Sequence, residues 1–197
     1  MTFTQLCSEA AACRVCPDLA ERQAVLSELN GTLTPRVMFI GEAPGRQGGD
    51  RTRTPFSGDA SGRNLERYLA SINLRRADIF ITNAALCNPR TPTGANRKPT
   101  NLEVANCSGF LRRQIELLAP PVIATLGAVS LAALRRLAYH SLSLRADAGQ
   151  VHEWDGRLLV PLYHPSPQVL ASHRREAQQL QDYQALAQAL RRNDFGF

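Results

Sequence analysis

The sequence predicts an α/β fold, a single-domain three-layer α/β/α sandwich around a mostly parallel sheet. Three observations lead there. Apolar runs of strand length alternate with amphipathic stretches of helical length, the order that builds parallel strands joined by crossover helices. The 197 residues suffice for one substantial core, with no internal repeat or composition break, so residues 1–197 read as one domain. Hydrophobic residues make up 44% of the chain and charges are scattered, which sets it apart from disordered chains.

The elements follow in order. "TQLCSEAAAC" (4–13) reads as a short helix, and "LAERQAVLSEL" (19–29) as a second amphipathic piece stopped by Asn30-Gly31. "RVMFI" (36–40) is a strand, followed by the glycine-rich loop "GEAPGRQGGDRTRTPFSG" (41–58). Ser61 can cap a helix over "GRNLERYLASINL" (62–74), where Leu65, Tyr68, Leu69 and Ile72 share one face. "DIFITNAAL" (78–86) is a second strand, and the aperiodic "CNPRTPTGANRKPT" (87–100) is a loop. A helix runs from Thr100 to Leu118, then a strand over "PPVIATLG" (120–127) and a helix over "AVSLAALRRLA" (128–138). Asp155-Gly156 marks a hairpin whose second strand leads into His164, and "SHRREAQQLQDYQALAQALRR" (172–192) reads as one long helix.

No apolar run is long enough to span a bilayer, and the start lacks a basic segment followed by a sustained apolar one. The expectation is a cytoplasmic protein of a bacterium-like cell, monomeric by default. The formal charge of +6, almost wholly arginine, suits a polyanionic partner without requiring one. Five cysteines in a reducing compartment point to metal or thiol chemistry rather than disulfides.

Cys13 and Cys16 form a C-x-x-C pair, with Cys87 at a strand end and Cys107 on a helix. Four such thiols can hold a metal cluster or a zinc ion. The alternative is a redox dithiol at Cys13/Cys16 with two inert cysteines. Cys7 is expected to pack on the first helix rather than act as a ligand.

In open α/β sheets ligands lie beyond the carboxyl ends of the strands. Three unusual loops sit there: one after Ile40, one containing Asn83 and one containing His164. Their residue types have ordinary uses too. Glu42 is able to pair with a nearby arginine, Asn83 to cap a turn, Phe56 to fill core, and Asp59 to cap the helix beginning near Ser61. Loop arginines such as Arg51 and Arg53 are solvated or meet phosphates.

Four segments in order, "GEAPG" (41–45), "TNAALC" (82–87), "NRKPTNLEVANCSGFLRRQI" (96–115) and "YHPSP" (163–167), resemble the motifs of the iron–sulfur uracil-DNA glycosylases of families four and five. The likeness runs from Cys13 to the final helix. "GEAPG" with Glu42 is similar to family four, whereas "RQGGDRTRTPFSGDASG" resembles the longer loop of family five. The resemblance implies a monofunctional glycosylase that flips uracil out of DNA and hydrolyses its N-glycosidic bond. It implies a structural [4Fe–4S] cluster on Cys13, Cys16, Cys87 and Cys107, in preference to zinc.

By the same resemblance His164 donates to uracil O2, Ser166 binds a flanking phosphate, and Gln168 or Val169 stands where a wedge enters the base stack. Asn83 offers a donor and an acceptor that match uracil O4 and N3–H. Phe56 stacks on the flipped ring, and Ala43 supplies a main-chain contact. Glu42 positions the attacking water, with Asp59 as its competitor. The other readings are a damage-binding module without cleavage, a glycosylase for hypoxanthine or xanthine, and a thiol redox protein. A variant that bonds covalently to the sugar needs a loop histidine, which "NPRTPTGANRKPT" (88–100) lacks.

Overall fold

The structure, a computed structural model, describes residues 2–194. Its five-stranded sheet runs in the order β2-β1-β3-β5-β4. The strands are β1 (Val37–Gly41), β2 (Ile79–Asn83), β3 (Val122–Leu126), β4 (His152–Trp154) and β5 (Arg157–Leu162). β2, β1, β3 and β5 are mutually parallel, and β4 joins the edge antiparallel. The hairpin expected at Asp155-Gly156 is present, with both residues at positive φ (50° and 72°) as a tight two-residue turn requires.

The four parallel strands are apolar at nearly every position because both faces of the sheet are covered. In β1, Met38 and Ile40 face helices α1 (Phe3–Ala12), α4 (Asn101–Leu118) and α5 (Ala128–Arg135). Val37 and Phe39 face α3 (Ala60–Ser71) and α8 (Glu176–Asp194). The period-two alternation of a strand therefore feeds two separate cores, and each fully buried Phe or Ile contributes about 1.5–3 kcal/mol. Thr2 and Gln5 close a capping box on α1, and Thr100 and Glu103 close one on α4, so both helices start where their polar residues permit.

Three local expectations need correction. Residues 19–29 form no α-helix; two 3₁₀ turns, Pro17–Leu19 and Glu28–Asn30, flank an irregular stretch. Ala24, Val25 and Leu26 are all buried in succession, which one helix face cannot achieve. Val25 N–H donates to the Leu86 carbonyl instead (2.8 Å), and the Asn30 amide donates to that of Ile81 (2.7 Å). Secondly, of the two caps the sequence offers, α3 takes Asp59 rather than Ser61, its carboxylate accepting from Gly62 N–H at 2.9 Å, so the helix begins at Ala60. Thirdly, the last helix, α8 (Glu176–Asp194), begins at Glu176 rather than Ser172; a separate short helix, α7 (Pro167–Ser172), precedes it, and between them the Arg174 guanidinium forks onto the buried Asp182. Two short helices, α2 (Gly49–Thr52) and α6 (Leu144–Asp147), complete the chain. Among the described residues no helix is long and apolar enough to cross a membrane.

Candidate active site

β1 lies between β2 and β3, so the crossovers leave it in opposite directions and a crevice opens beyond the strand ends. A cavity of about 600 Å³ occupies that place. Glu42, Ala43, Phe56, Asp59, Asn83, His164, Ser166 and Gln168 all line it, so the eight catalytic and base-binding candidates reach one cavity.

The floor is built by the register of two strands. Gly41 ends β1 opposite Asn83, which ends β2. A Cβ on Gly41 would lie 2.5 Å from the Asn83 carboxamide oxygen and 2.9 Å from the Phe56 ring, so only glycine lets the two side chains meet there. Asn83 is buried, and its Oδ1 makes no hydrogen bond within the chain. A buried, unpartnered carboxamide oxygen is costly by about 1–3 kcal/mol unless a ligand donor meets it. Phe56 holds a left-handed backbone (φ 50°), and its ring lies 5.4 Å from that of His164, tilted by 40°.

His164 follows β5. Asn64 anchors the neighbouring Pro165 carbonyl (2.8 Å), and the α8 residue Gln179 donates to the His164 carbonyl at 3.4 Å. Burial pulls the imidazole pKa down to about 4, against a smaller opposing pull from Asp59, so the ring is neutral at neutral pH. Glu42 is shifted the other way: burial raises its carboxyl, and Lys98, the only lysine of the chain, partly offsets this. Asp59 has divided duties. One oxygen caps α3, and the other lies so close to Gly48 that a side chain there would collide with it. Ser166 likewise caps α7, accepting from Val169 N–H at 3.4 Å.

Several residues at the site escaped the sequence reading. The buried Asn88 donates to the Pro44 carbonyl (2.6 Å) and to the Asn96 Oδ1 (3.1 Å), and Asn96 accepts from Arg46 N–H (3.0 Å). These amides fasten the 41–58 loop to the 87–100 loop. The Asn-Pro and Asn-Arg steps inside an aperiodic loop were a faint signal of such bracing. The Arg53 guanidinium is tied into the chain, donating to the Gln23 (3.2 Å) and Ala24 carbonyls and pairing with Asp50 at 3.6 Å, with 34% of the side chain exposed. Arg51 stays exposed, its guanidinium donating a long 3.4 Å bond to the Gly58 carbonyl.

The uracil DNA glycosylase superfamily profile matches residues 30–191. The chain belongs to this family. Among curated proteins, it is 36% identical over 156 residues to the type-4 uracil-DNA glycosylase of Thermotoga maritima, covering 78% of this chain and 76% of that one. It is also 36% identical to the Archaeoglobus fulgidus type-4 enzyme, covering 80% and 78%. The type-5 uracil-DNA glycosylase of Pyrobaculum aerophilum shares 33% over 70% of this chain and 64% of its own.

Cys13 follows α1, Cys87 follows β2 and Cys107 lies on α4, on the α1–α4 side of the sheet. Burial pushes the Cys87 thiol up to about 12, with further contributions from Cys107, Cys13 and Cys16, and raises Cys107 to about 11. The four thiols thus share one neighbourhood, and the Asn106 amide donates to Cys16 Sγ at 3.3 Å. Among the described residues no three His, Cys, Asp or Glu side chains converge closely enough to hold a single metal ion. Cys7 packs from α1 against the same core cluster as Cys87 and Cys107.

Proposed function

We infer that this chain is a monofunctional DNA glycosylase that removes uracil from DNA, leaving an abasic site. One observation carries the reading: an unpartnered buried carboxamide, an aromatic ring, a neutral imidazole and a carboxylate line one cavity at the strand ends. Cleaving the bond between base and sugar separates charge, positive on the deoxyribose and negative on uracil O2. Dipoles already aimed at the anion lower that barrier without reorganising. His164 fits as the donor to O2, because a neutral ring held by its desolvated setting gives a hydrogen bond without surrendering a full proton. Asn83 reads the Watson–Crick edge, and Phe56 supports the flipped ring. Glu42 faces the sugar side, where its carboxylate orients water and offsets the positive charge. Asp59 is occupied as a cap, which favours Glu42 for the water.

The base must leave the duplex to reach this cavity, so the single-stranded and flipped forms are the substrates the geometry supports. The test is incubation with duplexes carrying uracil, hypoxanthine, xanthine or thymine, followed by alkali. Strand breaks confined to uracil and appearing only after alkali are expected. Tight uracil-DNA binding with no product would instead select the damage-binding reading.

We also assign Cys13, Cys16, Cys87 and Cys107 to a [4Fe–4S] cluster. The four thiols influence one another, and a C-x-x-C pair with two further cysteines from a strand end and a helix is a ligand set that suits a cluster. When bound, the cluster supplies structural bracing between the 87–100 loop and α4. Purified protein should be brown, and Cys107→Ser should lose both colour and iron with a thermal midpoint lower by at least about 5 °C. A colourless, zinc-loaded wild type would overturn the assignment.

A further inference from the structure

The Phe56 backbone is held from outside the cavity. Phe56 sits at φ 50°, a region that non-glycine residues seldom occupy without support. Two features supply that support. On one side, Gly62 of α3 lies against the Phe56 peptide so closely that any side chain there would strike its carbonyl. On the other, the Arg76 guanidinium forks across two successive carbonyls, donating to Pro55 at 2.9 Å and to Phe56 at 2.6 Å. The third guanidinium donor goes to the Glu66 carboxylate of α3 at 2.7 Å, which fixes the plane of the fork. Arg76 opens the turn Arg76–Asp78 that leads into β2, the strand ending at Asn83. One side chain therefore ties the start of the Asn83 strand to the backbone beneath the stacking ring.

We propose that Arg76 is a positioning residue for base excision, acting through Phe56 by holding its peptide in the left-handed conformation that turns the ring onto Gly41, Asn83 and His164. This rests on the uracil-excision reading above. A planar fork with fixed donors can bridge two carbonyls at once, whereas the point charge of lysine is able to satisfy one well. Nothing in the sequence signals the pairing, because an arginine before a strand is ordinary and its partners are twenty residues away.

The test is a double-mutant cycle read by single-turnover excision of uracil and by thermal midpoint. Arg76→Ala should slow excision about tenfold, since small displacements of a positioning group cost rate steeply. Arg76→Lys should recover part of the loss. In a Phe56→Ala background, Arg76→Ala should change the rate less than about twofold, because coupled residues are non-additive. The drop in thermal midpoint from Arg76→Ala should be alike in both backgrounds. Equal slowing with and without Phe56, or no slowing in the otherwise native chain, would overturn the proposal. Glu66→Gln, which keeps the fold's packing but loosens the fork, should slow excision in the same Phe56-dependent way. A wild type that removes no uracil would sink the function reading, and the proposal with it; an active wild type with additive variants sinks only the proposal.

Discussion

His164→Ala is expected to slow single-turnover uracil excision by about 100- to 1,000-fold, the usual loss when a preorganised donor to a developing anion is removed. The mutated position is held by β5 and the Pro165 anchor rather than by the ring itself, so the fold should persist. The pH dependence separates two forms of donor. With its pKa near 4, the ring is neutral throughout the working range. Excision should therefore be flat on the alkaline side and fall only on the acid side, where the raised Glu42 carboxyl takes up its proton. A rate that declines as pH rises through about 7 would mean that an imidazolium does the work, against the desolvated setting. Stability supplies an independent readout. The folded pKa lies below the unfolded value of 6.5, so the unfolded chain binds the extra proton between the two. The native state is thus favoured above pH 6.5 and loses that advantage as pH falls toward 4. The loss is on the order of 2 kcal/mol, less than the full pKa difference because the ring edge borders the cavity. His164→Ala should flatten this segment of the stability profile.

Why His164 and Asn83 were visible in the sequence, and Arg76 and Asn88 were not, has a physical origin. A strand end in a parallel sheet is a fixed address, and a polar residue there breaks an apolar run, as Asn83 does after Ile79–Thr82 and His164 after Leu162. Position made them candidates, and the resemblance of the flanking motifs supplied their roles. Arg76 and Asn88 work through partners 20 and 44 residues away, Phe56 and Pro44, and pairing at that range leaves no trace in spacing. The same limit explains residues 19–29. Their apolar residues are spaced well enough for a helix, yet the stretch is pinned by the Leu86 carbonyl and by Arg53 from the glycine-rich loop. Likewise the polar run 172–192 looks uniformly helical until Arg174 turns to Asp182. Local pattern sets the elements; long-range hydrogen bonds decide where they stop.

Asn83→Ala tests the reading of the base edge, and its effect should rival that of His164→Ala. Uracil presents a donor at N3 and an acceptor at O4, whereas cytosine reverses both. A rigid carboxamide that offers an acceptor and a donor in matching order accepts the first base and leaves two groups misfaced by the second. Discrimination of this kind exceeds what shape alone achieves, because a mismatched buried polar group has no water to turn to. Here Oδ1 is already stripped of partners and lies where Gly41 and Phe56 exclude solvent. Binding to duplexes with uracil or cytosine on a 2′-fluorinated, non-cleavable sugar isolates this term from chemistry. The native chain should prefer uracil by at least about tenfold, and Asn83→Ala should bring the two affinities to within about twofold. Excision of uracil should slow by about 100-fold in the same variant. An Asn83→Ala protein that keeps its uracil preference would move base recognition to main-chain groups such as Ala43, which line the same cavity and would survive the truncation.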